Sequence, residues 1–506
     1  MKTNRIIFSI FTVFTTIVII GACSEKDLEL VNPNQLSPET FFTTNAQVTS
    51  AVNAVYTNLQ TIPLFTRAYF FMHDLMGGDA QGNPQLEADK VQYYNFSFDA
   101  SHGDMSGYWN SCYRGINKAN FVIGNQEKIN SLITMNQTTK DKYIGEAKFM
   151  RAFYNFLLVI RYGDIPLLSE IPTSSEGKPK SPKAEVYALI ESDLQDASAV
   201  LLDKSVEANG RANKQAAIAL LGKVYLYQEK YDLALAEFVK LNGQFTLEDD
   251  YFDNFMDETE HGPESIFEIE YDQTLGANGL WGAGNAGSGA NESTLRGQEY
   301  GWNDWFNTYP ADDLLAEYEV DDKRFEETFY TDGDLFEGDP DQRTIRTGVA
   351  PSPVPATEIY IPLQRQAAWR KYQNYYKRRN ENIDSSINMK YMRYADVLLM
   401  MAECENKRPG GNQLAAKGYI DQVRARAGLL PTTAVTQAQI FEAIVHERRV
   451  ELAGEQSRFS DLIRWGRAAT ELSGQGFASR NVLWPIPANE FSTNKSLTPA
   501  DQNPGY

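Results

Sequence analysis

The sequence predicts a mainly α protein in which tetratricopeptide-like helical hairpins form a scaffold, with a loop-rich, irregular lobe containing short strands built onto it. Apolar residues recur at helical spacing in both halves of the chain, and two segments have the pattern of paired helices. Between residues 242 and 390 this periodicity fades, and Gly, Asn, Asp and aromatic residues accumulate instead. The 506 residues exceed what one compact core usually supports, which also favours more than one lobe.

The N-terminal residues predict a signal peptide followed by a lipidated cysteine. Two basic residues precede an apolar run over residues 6–20, which is too short for a comfortable membrane span and is typical of a signal-peptide core. Small residues stand directly before Cys23, as in the lipobox of bacterial lipoproteins. We therefore expect a signal peptide at 1–22, a lipid on Cys23 and an acidic tether over 23–40. The alternative is an ordinary signal peptide with a chance cysteine.

The helical pattern is strongest in two parts of the chain, 41–241 and 391–470. The segments that we predict to be helical are 46–59, 142–162, 182–202, a helical pair over 213–241, and a second pair at 394–404 and 413–427. In the first pair, Gly222 and Phe238 have the offsets of a tetratricopeptide repeat, in which small residues let two helices cross closely and rings fill the gap.

The remaining segments complete the expected organisation. We assign the loop-rich lobe mainly to 242–390, with a β-type run at 265–271, because turn residues interrupt every short apolar stretch there. Long structured loops of this kind often carry binding functions. The last part of the chain, 471–506, is expected to be an extended segment.

Charge, cysteine and histidine content narrow the possible functions. The formal net charge of −20 argues against nucleic acid and against adhesion to anionic lipid, because both need a basic face. A neutral or cationic ligand is easier to accept. Cys112 and Cys404 could pair, but Cys404 lies in an apolar helical pattern that favours a buried free thiol. The four histidines are far apart in sequence, so a histidine-based metal site or nucleophile has little raw material.

The C-terminal half carries motifs that resemble those of a known family. The matching stretches are 393–403 (RYADVLLMMAE), 423–429 (VRARAGL), 447–466 (beginning ERRVELAGE), 483–487 (LWPIP) and 502–506 (QNPGY). With the lipobox and the tetratricopeptide pair, they resemble the SusD/RagB family of surface nutrient-binding proteins over essentially the whole mature chain. The resemblance implies a helical scaffold and a variable ligand lobe. It also implies a partner, a SusC-like TonB-dependent transporter of the outer membrane, to which oligosaccharide or peptide is delivered.

Aromatic residues are the main candidates for ligand contact, because sugar C–H faces stack on flat rings. The candidates are Trp281, Tyr300, Trp302, Trp305, Trp109 and Tyr94. The first lies in a Gly-rich stretch, 276–289, that is poor material for a core. The next three fall within six residues and cannot all face inward on a regular element. The last two are weaker candidates in the N-terminal region, and the resemblance implies that both regions build the site. For each ring the alternative is packing in the core or in the lobe.

Acidic residues raise the alternatives of catalysis and calcium binding. Glu447, Glu451 and Glu455 recur every four residues and so line one helix face, at a spacing near the carboxylate separation of a glycosidase. Nearby arginines and the need for catalytic carboxylates to face each other across a substrate favour a structural ion-pair network instead. The acidic loop at 332–341 could hold calcium, but its spacing departs from an EF-hand and a solvated loop is favoured, so no cofactor is expected.

Together, the residues and the resemblance favour a non-catalytic cell-surface lipoprotein that captures a glycan, preferably a neutral one, and delivers it to a SusC-like transporter. Three alternatives remain open. They are a peptide-binding member of the same family, a helical glycoside hydrolase with opposed carboxylates in a cleft, and a tetratricopeptide scaffold whose concave groove binds only proteins.

Overall fold

The computed structural model describes residues 41–171, 174, 176–275 and 292–506. Within these ranges the protein is mainly α-helical with short strands, which confirms the predicted fold class. The predicted signal peptide, the lipid site Cys23 and the tether lie outside the described residues. No helix in the described ranges combines the length and the apolar character needed to cross a membrane.

The N-terminal part of the scaffold is a series of helices. They are α1 (Asn45–Tyr56), α2 (Ala68–Gly77), α3 (Ala88–Tyr94), α4 (Gly103–Gly124), α5 (Gln126–Ser131), α6 (Gln137–Tyr162), α7 (Lys183–Val200), α8 (Lys214–Tyr227) and α9 (Tyr231–Phe238). A π-helical turn, Ile62–Thr66, joins α1 to α2. Strands β1 (Ala80–Gly82), β2 (Ile165–Pro166) and β3 (Lys180–Ser181) lie between these helices.

These helices confirm the four helical segments predicted up to residue 241, with small shifts at their ends. Helix α6 begins earlier than expected, because Asn136 caps it by accepting a hydrogen bond from the Thr139 N–H (2.9 Å). Helix α4 was not predicted, since its four glycines lower helix propensity. Tertiary packing stabilises it nonetheless, because α4 packs against both α1 and α6 and buries rings such as Tyr108.

Helices α8 and α9 form the predicted tetratricopeptide hairpin. The side chain of Asn213 caps α8 by accepting from the Ala216 N–H at 2.9 Å. A Cβ atom on Gly222 would lie 2.5 Å from the ring of Phe238, so the two helices approach more closely than any larger residue allows. The small-residue and ring offsets read from the sequence therefore correspond to a real close crossing.

The loop-rich part contains short elements. They are β4 (Ser265–Ile269), α10 (Arg296–Tyr300), β5 (Thr308–Pro310), α11 (Asp312–Leu315), α12 (Arg324–Thr328), β6 (Phe329–Tyr330), β7 (Thr344–Arg346), β8 (Glu358–Tyr360), β9 (Ala368–Trp369) and β10 (Met389–Arg393). In the described residues every sheet has two strands; β7 and β8 pair in parallel, and β1–β5, β2–β3, β4–β10 and β6–β9 pair antiparallel.

The C-terminal helices extend the scaffold. They are α13 (Tyr394–Lys407), α14 (Gln413–Arg426), α15 (Gln437–Glu451), α16 (Arg458–Arg464), α17 (Ala468–Glu471) and α18 (Glu490–Thr493). Helix α13 follows β10 directly and packs against α9, α14 and α15, so helices that are distant in sequence form one array. The segment after residue 471 contains short helical turns and is less extended than predicted.

The loop-rich part has its own small core, separate from the main one. Its buried members are Trp302, Phe306, Tyr309, Tyr330, Phe336, Ile345, Ile361, Ala368 and Tyr375. The two remaining cysteines do not pair: Cys112 and Cys404 are both free and buried, and burial raises the pKa of the Cys112 thiol well above its usual range. These thiols therefore behave as core residues.

Candidate ligand-binding site

The β1–β5 ladder joins the two parts of the chain to which the sequence analysis assigns ligand contacts. Its three antiparallel residue pairs place Gly82 opposite Thr308. Beyond the strands, Asn83 donates from its backbone N–H to the Asn307 carbonyl (3.0 Å) and from Nδ2 to the Phe306 carbonyl (3.1 Å). Because α3 packs against β1, the ladder fixes α3 relative to the loop that follows α10.

An arginine–tyrosine stack lies on this ladder. The guanidinium carbon of Arg365 is 3.8 Å from the ring centroid of Tyr309, and Arg365 Nη2 donates to the Tyr309 hydroxyl. That hydroxyl donates in turn to the Gly82 carbonyl at 3.0 Å. Burial raises the pKa of Tyr309, which keeps this donor protonated. The Tyr309 side chain is therefore held by Arg365 over its ring and by the Gly82 carbonyl at its hydroxyl.

The turn before Arg365 has an unusual backbone. Leu363 and Gln364 adopt φ values of 59° and 56°, in the left-handed region that residues other than glycine rarely occupy. Such conformations cost energy and persist only where the surrounding structure holds them, often beside ligand sites. Leu363 itself is 45% exposed, so core packing does not explain the turn.

Two of the predicted rings retain exposed surface in the same region. Trp305 is 39% exposed and follows α10 in the loop that leads to β5. Tyr94, the last residue of α3, is half-buried against the main core and lies close enough to Tyr309 to affect its ionisation. We call Tyr94, Trp305, Tyr309 and Arg365 the aromatic rim.

A chain of charged and polar side chains connects the elements that carry the rim. Arg67, at the start of α2, pairs with Glu87 at 2.9 Å and with the buried Glu299. Glu299 also accepts a hydrogen bond from Asn307 Nδ2 at 2.5 Å. Burial raises the pKa of Glu299, although Arg67 opposes the shift. This chain ties α2 and the start of α3 to the loop that carries Trp305.

Tyr300 and Trp302 do not lie on the surface, which corrects the prediction that they contact ligand. Each is 1% exposed. The Tyr300 hydroxyl donates to Asp74 Oδ2 at 2.8 Å, and the Trp302 ring packs 5.0 Å from Phe336 and 5.7 Å from Tyr375. The physical reason is that large rings favour burial: Trp302 belongs to the small core of the loop-rich part, and Tyr300 belongs to the main core.

Trp109 is also a core residue, and its prediction as a ligand contact is corrected in the same way. It is 1% exposed, its ring packs edge-on against Tyr162 at 4.8 Å, and its indole N–H donates to Glu490 at 3.1 Å. It therefore joins α4 to the C-terminal segment. Trp281 lies outside the described residues, and its role stays a prediction.

Sequence reasoning missed Tyr309 and Arg365. Tyr309 carries a weak signal, since it follows the aromatic cluster at 300–305 by four residues. Arg365 carries none, because its place over Tyr309 depends on the β1–β5 pairing and on a left-handed turn at Leu363 and Gln364, where the sequence has neither Gly nor Asn.

The three glutamates that raised the possibility of catalysis lie in a buried ion-pair network. Glu447 and Glu451 are fully buried and pair with Arg324 at 2.5 and 2.9 Å. Arg393 pairs with Glu451 at 2.5 Å and with Glu455 at 2.8 Å. Although burial favours the neutral acid, the surrounding guanidinium groups hold the pKa of Glu451 well below its usual range. These carboxylates face arginines rather than a cleft, as the structural interpretation predicts.

The acidic loop at 332–341 has protein partners for its carboxylates. Asp334 accepts from the Thr331 N–H at 2.6 Å, and Asp339 pairs with Arg343 at 2.5 Å. Asp332 lies 3.5 Å from Arg346. The carboxylates are thus divided among separate local partners.

Comparison with known proteins identifies the family. Residues 263–479 match a family model described as the SusD family, and residues 27–226 match a second, SusD-like model described as starch-binding associating with outer membrane. The chain is 29% identical to SusD-like protein P2 of Formosa agariphila over 100% of both chains. Its fold also matches solved structures.

Two solved structures illustrate the match. A laminarin binding SusD-like protein is 27% identical, with a TM-score of 0.75 over 92% of this chain and 100% of that one. A SusD superfamily protein from Bacteroides vulgatus, 24% identical, has a TM-score of 0.77 over 92% of this chain and 100% of that one. The matches in both halves and the shared fold agree with the sequence motifs, and the chain belongs to the SusD/RagB family.

Proposed function

We propose that this protein is a non-catalytic cell-surface lipoprotein that binds a glycan at the aromatic rim and delivers it to a SusC-like TonB-dependent transporter. A lipid on Cys23 anchors it to the outer membrane, with the rim on the exterior side. The ligand is a neutral oligosaccharide or polysaccharide, since a formal net charge of −20 disfavours a polyanion.

The observation that carries the proposal is the relationship, over almost the whole chain, to a SusD-like protein that binds laminarin. The matched N-terminal family model, described as starch-binding and associating with outer membrane, supports the same ligand class and location. Fold alone does not define a ligand, so the rim must supply the chemistry.

The rim offers the two kinds of contact that a sugar needs. The exposed face of Trp305 can stack on the C–H face of a pyranose ring. Arg365 is partly exposed and presents a planar guanidinium stacked on Tyr309, so N–H groups at its exposed edge can donate to a sugar hydroxyl. The partly exposed side chains of Trp305 and Arg365 distinguish the rim from the fully buried aromatic clusters.

A peptide ligand is the main alternative, because the sequence motifs do not specify the ligand. Backbone amides of a peptide could also bond to Arg365, but they make less use of a flat ring. A glycoside hydrolase is less well supported, because Glu447, Glu451 and Glu455 are all engaged by buried cations.

Calorimetric titration of the purified protein against a panel of glycans, including laminarin and starch oligosaccharides, tests the proposal. We expect one glycan to bind, and Trp305→Ala to weaken it at least tenfold, about 1.4 kcal/mol. Trp465→Ala is the matched control, since Trp465 is half-buried at the end of α16 and bonds to Glu403. It should leave the affinity unchanged.

Other results would redirect the proposal. Binding of peptides but no glycan would replace the ligand class, and release of shortened glycan by the pure protein would contradict the non-catalytic role.

Membrane fractionation of Cys23→Ala tests the anchor, because loss of the lipid should move the protein from the membrane to the soluble fraction. Copurification with the transporter tests delivery.

A further inference from the structure

A cluster of metal-ligating side chains lies where the turn before β4 folds back on that strand. Glu260 and His261 belong to the turn and Glu268 to β4, and one ligand atom from each lies within 4.8 Å of the other two. Of the residues that the structure describes, this is the one group of three or more such side chains that converges in this way. It lies far in sequence from the aromatic rim.

His261 faces a carboxylate with each ring nitrogen. Nε2 is 3.1 Å from Glu270 Oε1, a hydrogen-bond distance, whereas Nδ1 is 3.8 Å from Glu268 Oε2, which is too long for a hydrogen bond. The second distance is close to the roughly 3.4 Å that separates two ligands of a tetrahedral ion whose bonds are about 2.1 Å long. Histidine ligands commonly donate their other N–H to a carboxylate, as the Glu270 contact allows.

Asn388 orients the two carboxylates. Its backbone N–H donates to Glu260 Oε1 at 2.6 Å, and its Nδ2 donates to Glu268 Oε2 at 3.0 Å. Each carboxylate oxygen has two lone-pair positions, so these bonds leave room for a cation. The outer contacts that orient metal ligands are therefore present, on the residue that directly precedes β10.

Negative charge exceeds positive charge around the cluster. Glu260, Glu268 and Glu270 face Lys390, whose Nζ is 2.8 Å from Glu268 Oε1, and Lys204, whose Nζ donates to three carbonyl oxygens of the same turn. A cation between these carboxylates would offset their mutual repulsion.

A groove gives this cluster access to solvent. An open cavity of about 590 Å³ is lined by His261, Lys204, Gln244 and Phe245. His261 is itself half-buried, between the groove and the glutamates. An ion and its remaining water ligands can therefore enter from this side without opening the core.

We propose that Glu260, His261 and Glu268 bind a divalent transition-metal ion such as Zn²⁺. The ligands are a carboxylate oxygen of Glu260, Nδ1 of His261 and Oε2 of Glu268, with water from the groove completing the coordination and Glu270 orienting the imidazole. The imidazole ligand selects against Ca²⁺ and Mg²⁺, which prefer oxygen. The bound ion links the turn to strand β4. This strand pairs with β10, which continues directly into helix α13 of the scaffold.

Titration of the full mature protein, stripped of metal by a chelator, tests this site. We expect one Zn²⁺ per chain by calorimetry, a higher melting temperature with Zn²⁺, and no comparable effect of Ca²⁺. His261→Ala and Glu260→Gln should each weaken Zn²⁺ binding at least about tenfold. Glu260→Gln should leave the melting temperature of the metal-free protein nearly unchanged, because the amide oxygen of glutamine can still accept the Asn388 N–H. Its effect on Zn²⁺ binding is then separate from misfolding.

His446→Gln is the matched control. His446 also lies beside two glutamates, Glu317 at 2.6 Å and Glu319 at 3.3 Å, but those three side chains do not converge on one point. It should leave Zn²⁺ binding intact. Failure to take up Zn²⁺, uptake that survives both Glu260→Gln and His261→Ala, or equal binding of Ca²⁺ would each overturn the proposal. None of these results depends on the glycan.

Discussion

The buried ion-pair network and the aromatic rim are built from similar residues, yet they use their bonding capacity differently. In the network, Arg393 divides its donors among Glu264, Glu451 and Glu455, and all of these groups are buried. In the rim, Arg365 is only partly buried, and its guanidinium bonds to one tyrosine. Whether a cluster of charged and aromatic residues binds a ligand is therefore indicated better by its exposed groups than by its composition.

Removing a cation from the network should give the largest effect on stability. Arg393→Ala leaves Glu264, Glu451 and Glu455 with fewer buried partners, and we expect the free energy of unfolding to fall by about 3–5 kcal/mol. Arg467→Ala is the control, because Arg467 pairs with Glu442 and Glu471 at the surface, and it should cost less than about 1 kcal/mol. Urea denaturation measures both, and equal losses would contradict the distinction.

Trp302 and Trp305 allow a buried ring and a partly exposed ring of the same loop to be compared. Trp302→Ala empties the small core and should lower the free energy of unfolding by about 3 kcal/mol or more. Trp305→Ala removes a partly exposed ring and should change it by only about 0.5 kcal/mol. Chemical denaturation of both variants decides the matter; a large loss for Trp305→Ala would make it a structural residue and weaken its assignment to the rim.

Glycine substitutions test the close packing of the scaffold against an open helix position. Gly222→Ala places a methyl group against Phe238 in the α8–α9 crossing, and we expect a loss of about 1–3 kcal/mol. Gly418→Ala, on α14 with open space around it, should stabilise the protein by about 0.5–1 kcal/mol. Thermal and urea unfolding report the sign, and two shifts in the same direction would argue against the tight crossing.

The buried Glu381 should give the smallest of these effects, a dependence of the free energy of unfolding on pH. Glu381 is fully buried, its backbone N–H donates to Asp304 at 2.8 Å, and burial raises the pKa of its carboxyl to about 7. The folded pKa is above the ordinary value, so the stabilisation is present below about pH 4.5 and is lost as pH rises through about 7. Between about pH 5 and pH 8, wild type should lose about 1–2 kcal/mol more than Glu381→Gln. Identical pH profiles would show that Glu381 is already ionised.

Much of the scaffold could be predicted from the sequence because its signals are local. Helical periodicity located the helices, and the offset between Gly222 and Phe238 located the crossing of α8 and α9. The sequence predicted that Glu447, Glu451 and Glu455 share a helix face and join an ion-pair network, but Glu455 lies beyond the end of α15 and the nearby Arg448 pairs with Asp396 and Asp461 instead. The sequence did not predict Arg324 or Arg393 as partners, because these are far away in sequence and meet the glutamates only in the folded chain.

The binding surface was harder to predict because it depends on long-range pairing. Composition singled out the aromatic cluster, but it could not separate the buried Tyr300 and Trp302 from the exposed Trp305, since that loop has no regular periodicity. The stack of Arg365 on Tyr309 requires residues 80–82 to pair with 308–310, which no local signal encodes. Because the four histidines are far apart in sequence, a metal site at His261 was not predicted. The other proposed ligands there are glutamates.

A crystal structure of the protein with the oligosaccharide selected by titration would show whether the rim binds the glycan. We expect a sugar ring stacked on Trp305 at about 4 Å, with a hydroxyl bonded to Arg365, and no change in the buried network. A sugar bound elsewhere, with the rim empty and the Trp305 face uncovered, would contradict it.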